Sequence, residues 1–263
     1  MQYNPILEEM GISEEAFEAM PPEKKAFYQG FRSIIDSTSD IRYFKEVGVS
    51  GTDGTMEYTL VETTKEAYEN RSEESMIQPY GKNPDIVYET WCTMTTTIIT
   101  GDKTNGRTYY TVKNELDIDI EKMEQGFAIF DRTALIAISL NSNMSPVTGS
   151  EFLHLEYTNL TGSNAGKPGS EYVWNAQHKS SIGYAFDFCV DNSKRSHKVT
   201  MAYQAISNTS SDASIVDAFG SACFWAKVVK VNSVTFGPSG VEKIGISTND
   251  KCFLAKNTHA QVP

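Results

Sequence analysis

The spacing of apolar residues along this chain changes near Gly48, from a helical period of three to four to a strand period of two. In the head, Ser13 followed by Glu14 and Glu15 has the form of an N-cap with acids placed favourably against the helix dipole, predicting a short helix that runs to Met20. Pro21 and Pro22 stop it, and Pro22 suits the first turn of a second helix that carries Phe27, Phe31, Ile34 and Ile35 on one face. Residues 1–47 are therefore expected to form a helical segment packed on the main domain. Residues 48–263 are expected to form one antiparallel β domain, because sandwiches of this length commonly form a single unit.

Beyond Gly48, Met56, Tyr58 and Leu60 alternate with polar partners. The alternation is clearest where Tyr110, Val112, Leu116, Ile118 and Ile120 interleave with Lys113, Glu115, Asp117, Asp119 and Glu121. The Thr-rich stretch from Trp91 to Thr100, followed by Asn105-Gly106, predicts that these segments form a long hairpin. Phe127 to Phe130 and Ala134 to Leu140 are nearly continuous apolar runs, as expected of strands covered on both faces. Leu153, Leu155 and Tyr157 alternate as a further strand. Ile182 to Val190 and Val199 to Tyr203 flank a basic cluster, Lys194, Arg195, His197 and Lys198, that reads as a polar turn, so the two are expected to pair. Ile215 to Phe219 reads as one helical turn ended by Gly220, and Ala222 to Phe236 as one or two further strands. The fold class this predicts is mainly β (α+β), an antiparallel β-sandwich or jelly-roll-like domain with a short N-terminal helical segment.

Composition narrows the function classes. A net charge of -11 over 263 residues argues against a direct nucleic-acid packaging role, since neutralising phosphates needs clustered Lys and Arg. The opening residues lack the charged start and apolar run of a secretory signal, so the expected site of synthesis and residence is the cytoplasm, with incorporation into a particle or release by lysis. Cys92, Cys189, Cys223 and Cys252 are widely spaced, without a CxxC pair or a His at ligand spacing, so no zinc or redox motif is expected. Phosphate-binding Gly-rich loops, zincin and Gly-x-Ser-x-Gly motifs and EF-hand loops are all absent from the sequence, and no cofactor is expected.

The residues left to carry chemistry are few. Glu115, Asp117, Asp119 and Glu121 share one strand face and supply the hard oxygens a cation site needs, although in a row rather than a cage. His154 and Glu156, with Asp187, are an acid–base candidate if strands bring them together. Tyr172 and Trp174, beside a Gly- and Ser-rich loop, are the aromatics expected at the surface, where they would meet a sugar or a lipid interface. Long edge-capable strands and missing catalytic motifs predict a non-enzymatic structural subunit of a self-assembling complex such as a virion or phage tail, with its own copies or other subunits as partners. The alternative expectation is a soluble membrane- or glycan-binding protein, such as a pore-forming toxin or lectin.

Overall fold

The computed structural model describes residues 2–29, 33–50, 56–70, 91–104, 106–119, 131–191, 193–208, 215–225, 227–248, 253–254 and 258–262. The expected run from Phe127 to Phe130, and Glu121 and Cys252, lie outside these residues. Three short helices come first: α1 (Ile6–Glu9), α2 (Glu14–Ala19) and α3 (Pro22–Tyr28). Ser13 caps α2, its Oγ accepting the Ala16 N–H at 3.1 Å, and Pro22 opens α3. The strands β1 (Asp36–Ser50) and β2 (Met56–Thr63) follow, then α4 (Lys65–Glu69), capped by Thr64. Next come β3 (Trp91–Thr104), β4 (Arg107–Asp119), β5 (Arg132–Leu140), β6 (Met144–Pro146), β7 (Phe152–Asn159) and β8 (Pro168–Val173). The chain continues through β9 (His178–Lys179), β10 (Gly183–Val190), β11 (Lys194–Ser207), β12 (Val216–Phe224), β13 (Val231–Gly237), β14 (Gly240–Ile246), β15 (Phe253–Leu254) and β16 (Thr258–Val262).

The strands form an antiparallel sandwich. The large sheet runs β2-β1-β3-β4-β11-β7-β8, with β6 extending the row beside β11. The second sheet runs β15-β12-β5-β10-β9, with β16 also on β12. Between them lies the main core. Met94, Ile98, Val112, Leu116, Val199, Met201 and Tyr203 from the first sheet meet Ile136, Ile138, Phe186, Phe188, Val216 and Ala222 from the second. The β3–β4 hairpin forms as its alternation predicts, pairing Trp91 with Asp119 and Ile98 with Val112.

Three expectations fail here. The second helix does not reach Ile34 and Ile35: α3 ends at Tyr28, and β1 begins at Asp36, within the segment expected to be helical. β10 and β11 do not pair: β10 pairs with β5, and β11 with β4 and β7. The short 191–193 connection instead carries the chain from one sheet to the other, and Tyr184 meets Tyr203 across the core at 4.9 Å between ring centroids. Two amphipathic strands show the same alternation whether they pair side by side or face one another across a core. Ile215 to Phe219 is likewise strand rather than a helical turn, entering β12.

Part of each outer face of the sandwich is covered by the chain's own elements. On the large sheet, Leu7, Met10, Ile12, Phe17, Met20 and Tyr28 of the head bury against Ile99, Phe152 and Ala202. The head is also pegged by polar contacts. Lys24, only 4% exposed, donates to the carbonyls of Gly149 (2.7 Å) and Glu151 (2.8 Å), and Tyr28 donates to that of Ser150 (2.5 Å). Gln204 of β11 donates back to the carbonyl of Phe27 at 2.8 Å. Burial pushes the Lys24 ammonium below its ordinary pKa, opposed by the charge of Glu151. On the second sheet the β13–β14 hairpin places Val231, Phe236 and Val241 over Leu135, Ala137, Ala185 and Cys223. That double covering is why Ala134 to Leu140 reads as continuously apolar: β5 is buried on both faces.

Candidate functional site

Tyr172 and Trp174 lie on the outer face of the large sheet, next to the head. Their rings stack on one another at 5.2 Å with 3° between planes, and His154 stacks on Tyr172 at 4.4 Å. Both are half-buried and pack against the cluster beneath the head, with Phe152 6.4 Å from Trp174. Their ring faces are thus spent largely on each other and on neighbours, because the helices cover this end of the sheet. His154 is 4.0 Å from Glu156 on its own strand, and burial lowers its pKa. Asp187 lies in the other sheet, where it sits 3.3 Å from His178, so His154 and Asp187 are not brought together as an acid–base pair.

The acidic row of β4 has unequal surroundings. Glu115 is paired with Lys113 at 2.8 Å and Lys198 at 3.8 Å, whereas Asp117 is exposed and Asp119 half-buried. Among the described residues no group of three or more His, Cys, Asp or Glu side chains is arranged to hold a metal ion.

A different constellation stands out, at one corner of the sandwich. Leu155 and Val173 belong to the inter-sheet core, and the strand period places Tyr157 and Glu171 on the same inner face. His197 sits opposite Ile118, another core residue, and so also points between the sheets. The sheets part at this corner, leaving a cleft of about 330 Å³ lined by Leu155, Val173, Phe188, Tyr157, Glu171 and His197, with Asp187, Cys189, Asp191 and Lys194 at its border. The basic cluster expected to be a surface turn therefore contributes a histidine that is only 1% exposed. Its place in the inward register of β11, two residues before Val199, takes it out of the turn.

The polar groups of the corner are linked. Glu171 Oε1 accepts from Tyr157 Oη at 3.0 Å and from Lys194 Nζ at 2.7 Å, and Lys194 is 3.5 Å from Asp191. The Lys194 ammonium also lies 3.9 Å from the centroid of the Tyr157 ring, a cation–π contact. The hydrogen bond from Lys194 holds Glu171 below the ordinary carboxylate range. Burial works against the Lys194 charge, but the hydrogen bond and charge of Glu171 outweigh it and raise the lysine's pKa. Burial pushes His197 below the ordinary imidazole value, so the neutral ring is favoured. Its Nε2 lies 3.3 Å from the Asp191 carbonyl oxygen, an acceptor only, which assigns the ring proton to Nε2. Nδ1 then carries a buried lone pair without a hydrogen-bond partner among the described residues.

A signal for this corner exists in the sequence. Glu171 and His197 fall in the inward register of their strands, where Val173 and Val199 are apolar, and a charged or titratable residue in such a slot departs from the pattern. Reading Lys194 to Lys198 as a turn concealed it. No protein-family model and no curated protein matches this chain. No helix among the described residues is long and apolar enough to cross a membrane, which says nothing of strands.

Proposed function

We propose that this protein is a non-enzymatic subunit of a self-assembling complex, joining its copies through the β1–β2 margin of the large sheet. The observation that carries this reading is the way the chain covers itself: head over one face, hairpin over the other, and no strand paired to the free side of β2 among the described residues. β2 ends the large sheet, and no further strand pairs with it among the described residues. Its eight residues include neither Pro nor Lys, two of the devices that commonly blunt an edge against pairing. Ile35, Ile41 and Val61 are 63%, 53% and 42% exposed, so three of the five large exposed hydrophobics among the described residues lie on or beside this margin. In the β1–β2 register Val61 sits opposite Lys45, which puts Val61 and Ile41 on one side of the sheet.

The charge of -11 makes copies repel at low ionic strength, so association should strengthen as salt screens it. Light scattering over a wide concentration range, at low and moderate salt, tests this. Growth into a defined oligomer without lipid is expected, stronger in salt and abolished by Val61→Lys. A monomer at every concentration, or one that oligomerises only when vesicles are added, would reject this reading.

A further inference from the structure

We infer that the cleft between the β7–β8 margin and β10 binds a neutral, hydroxyl-rich small molecule of sugar-ring size. This site goes beyond the assembly reading and does not depend on it, since β2 and β8 lie at opposite ends of the large sheet.

The argument starts from where the polar groups are. The space between two packed sheets is ordinarily filled by apolar side chains, as it is here from Ile98 to Phe186. At this corner the inward register instead carries the Glu171–Lys194 ion pair, which lines the open cleft rather than packed core. The second, independent observation is His197, a residue lining the cleft and 1% exposed, whose Nδ1 has no hydrogen-bond partner among the described residues. A native structure rarely leaves a buried acceptor idle unless something else uses it.

The chemistry of the walls selects the occupant. Glu171 and Asp191 outnumber Lys194, and His197 is neutral, so an anion is disfavoured. A cation would seek the Tyr157 ring and the carboxylates, but the protein's own Lys194 already occupies that position, 3.9 Å from the ring centroid. What remains is an excess of acceptors, the Glu171 and Asp191 carboxylates and the His197 lone pair, around an apolar floor of Leu155, Val173 and Phe188. A ligand that donates several O–H groups while laying a C–H face on that floor satisfies both halves. The volume of about 330 Å³ suits one small cyclic polyol, at the low end of small-molecule sites.

The test is saturation-transfer NMR with a panel of methyl glycosides, with methylammonium and acetate as the cationic and anionic probes. It is read on the full chain and on Glu171→Ala and Tyr157→Phe. At least one methyl glycoside should receive saturation where acetate and methylammonium do not. Its affinity should fall about tenfold in Glu171→Ala, the size of one lost charge-assisted hydrogen bond. Glu171 is mostly exposed, so its variant should keep the parent's melting temperature, which makes a loss of binding attributable to the cleft. Absence of transfer to every glycoside overturns the inference. So does a preference for methylammonium, or glycoside binding that both variants leave unchanged. The oligomeric state of Val61→Lys is read separately, so failure of either proposal is distinguishable from failure of the other.

Discussion

Two polar inclusions sit between the same two sheets, and they are built in opposite ways. In the first, Asn114 lies fully buried on the inner face of β4, its Oδ1 accepting from Thr96 Oγ1 at 3.3 Å and its Nδ2 facing the carbonyls of Ala137 (3.2 Å) and Ser221 (3.4 Å). Thr96 in turn hydrogen-bonds the hydroxyl of Thr258 on β16, so one connected set of bonds ties β3, β4, β5, β12 and β16 together. The second is the corner of Tyr157, Glu171, Lys194 and His197, which opens onto a cleft and leaves His197 Nδ1 unused. Mutual satisfaction in a sealed space marks a polar group that positions strands. Incomplete satisfaction beside open volume marks one available to a ligand.

The sharpest way to break the sealed inclusion is Gly220→Ala. A Cβ there would overlap the Thr96 hydroxyl and approach Thr258 Oγ1 to 2.5 Å and the Asn114 side-chain carbon to 2.9 Å. With no room for a methyl group, the expected loss is about 3 kcal/mol, read as a fall in the urea midpoint at unchanged slope. Asn114→Ala should follow at about 2 kcal/mol, because it removes the buried partner of the Thr96 hydroxyl and of two carbonyls without adding a clash. Glu171→Gln, in the open corner, should cost under about 1 kcal/mol, since that carboxylate is mostly exposed and its pair is screened. If Glu171→Gln proved as damaging as Asn114→Ala, the distinction between the two inclusions would collapse.

Acidification separates them with the smallest expected effect. His197 is held below its ordinary pKa by burial, so the unfolded chain binds a proton as pH drops below about 6.5 while the folded chain resists it. The unfolded state then carries more protons, and stability falls with falling pH in that window. His154 shifts in the same direction for the same leading cause. Glu171 and Asp191 are lowered too, but their contribution persists until the ordinary carboxylate range near about 4 is reached, leaving the window above it to the imidazoles. Urea midpoints at about pH 7 and about pH 5 should therefore diverge less in His197→Gln than in the parent. Asn114→Ala should leave that divergence untouched, since the sealed inclusion contains no titratable group.

Much of the sandwich was legible because a strand with one core-facing side writes a period of two, and the β3–β4 hairpin needs nothing further. Pairing between β10 and β11 was not legible, since facing and pairing leave identical patterns. Gly220 misled for an instructive reason: following Ile215 to Phe219 it resembles a helix C-cap, but its role is to let Thr96 and Thr258 approach the β12 backbone. That requirement comes from residues 124 and 38 positions away, which no local window contains. The half-burial of Tyr172 and Trp174 was hidden in the same way, because it depends on where the head docks. The corner was partly legible through Glu171 and His197 in apolar slots, whereas its volume depends on how far two sheets splay.

The polar pegs of the head also impose an order of events on synthesis. Lys24 binds carbonyls 125 and 127 residues downstream, and Phe27 waits for Gln204, 177 residues later. At roughly 5–20 residues per second, the apolar side of the first three helices leaves the ribosome on the order of ten to thirty seconds before its docking surface has been translated. During that interval Leu7, Met10, Phe17 and Met20 lack their native partners Phe152 and Ala202 on the large sheet, so this short segment emerges with an apolar face that a chaperone could shield.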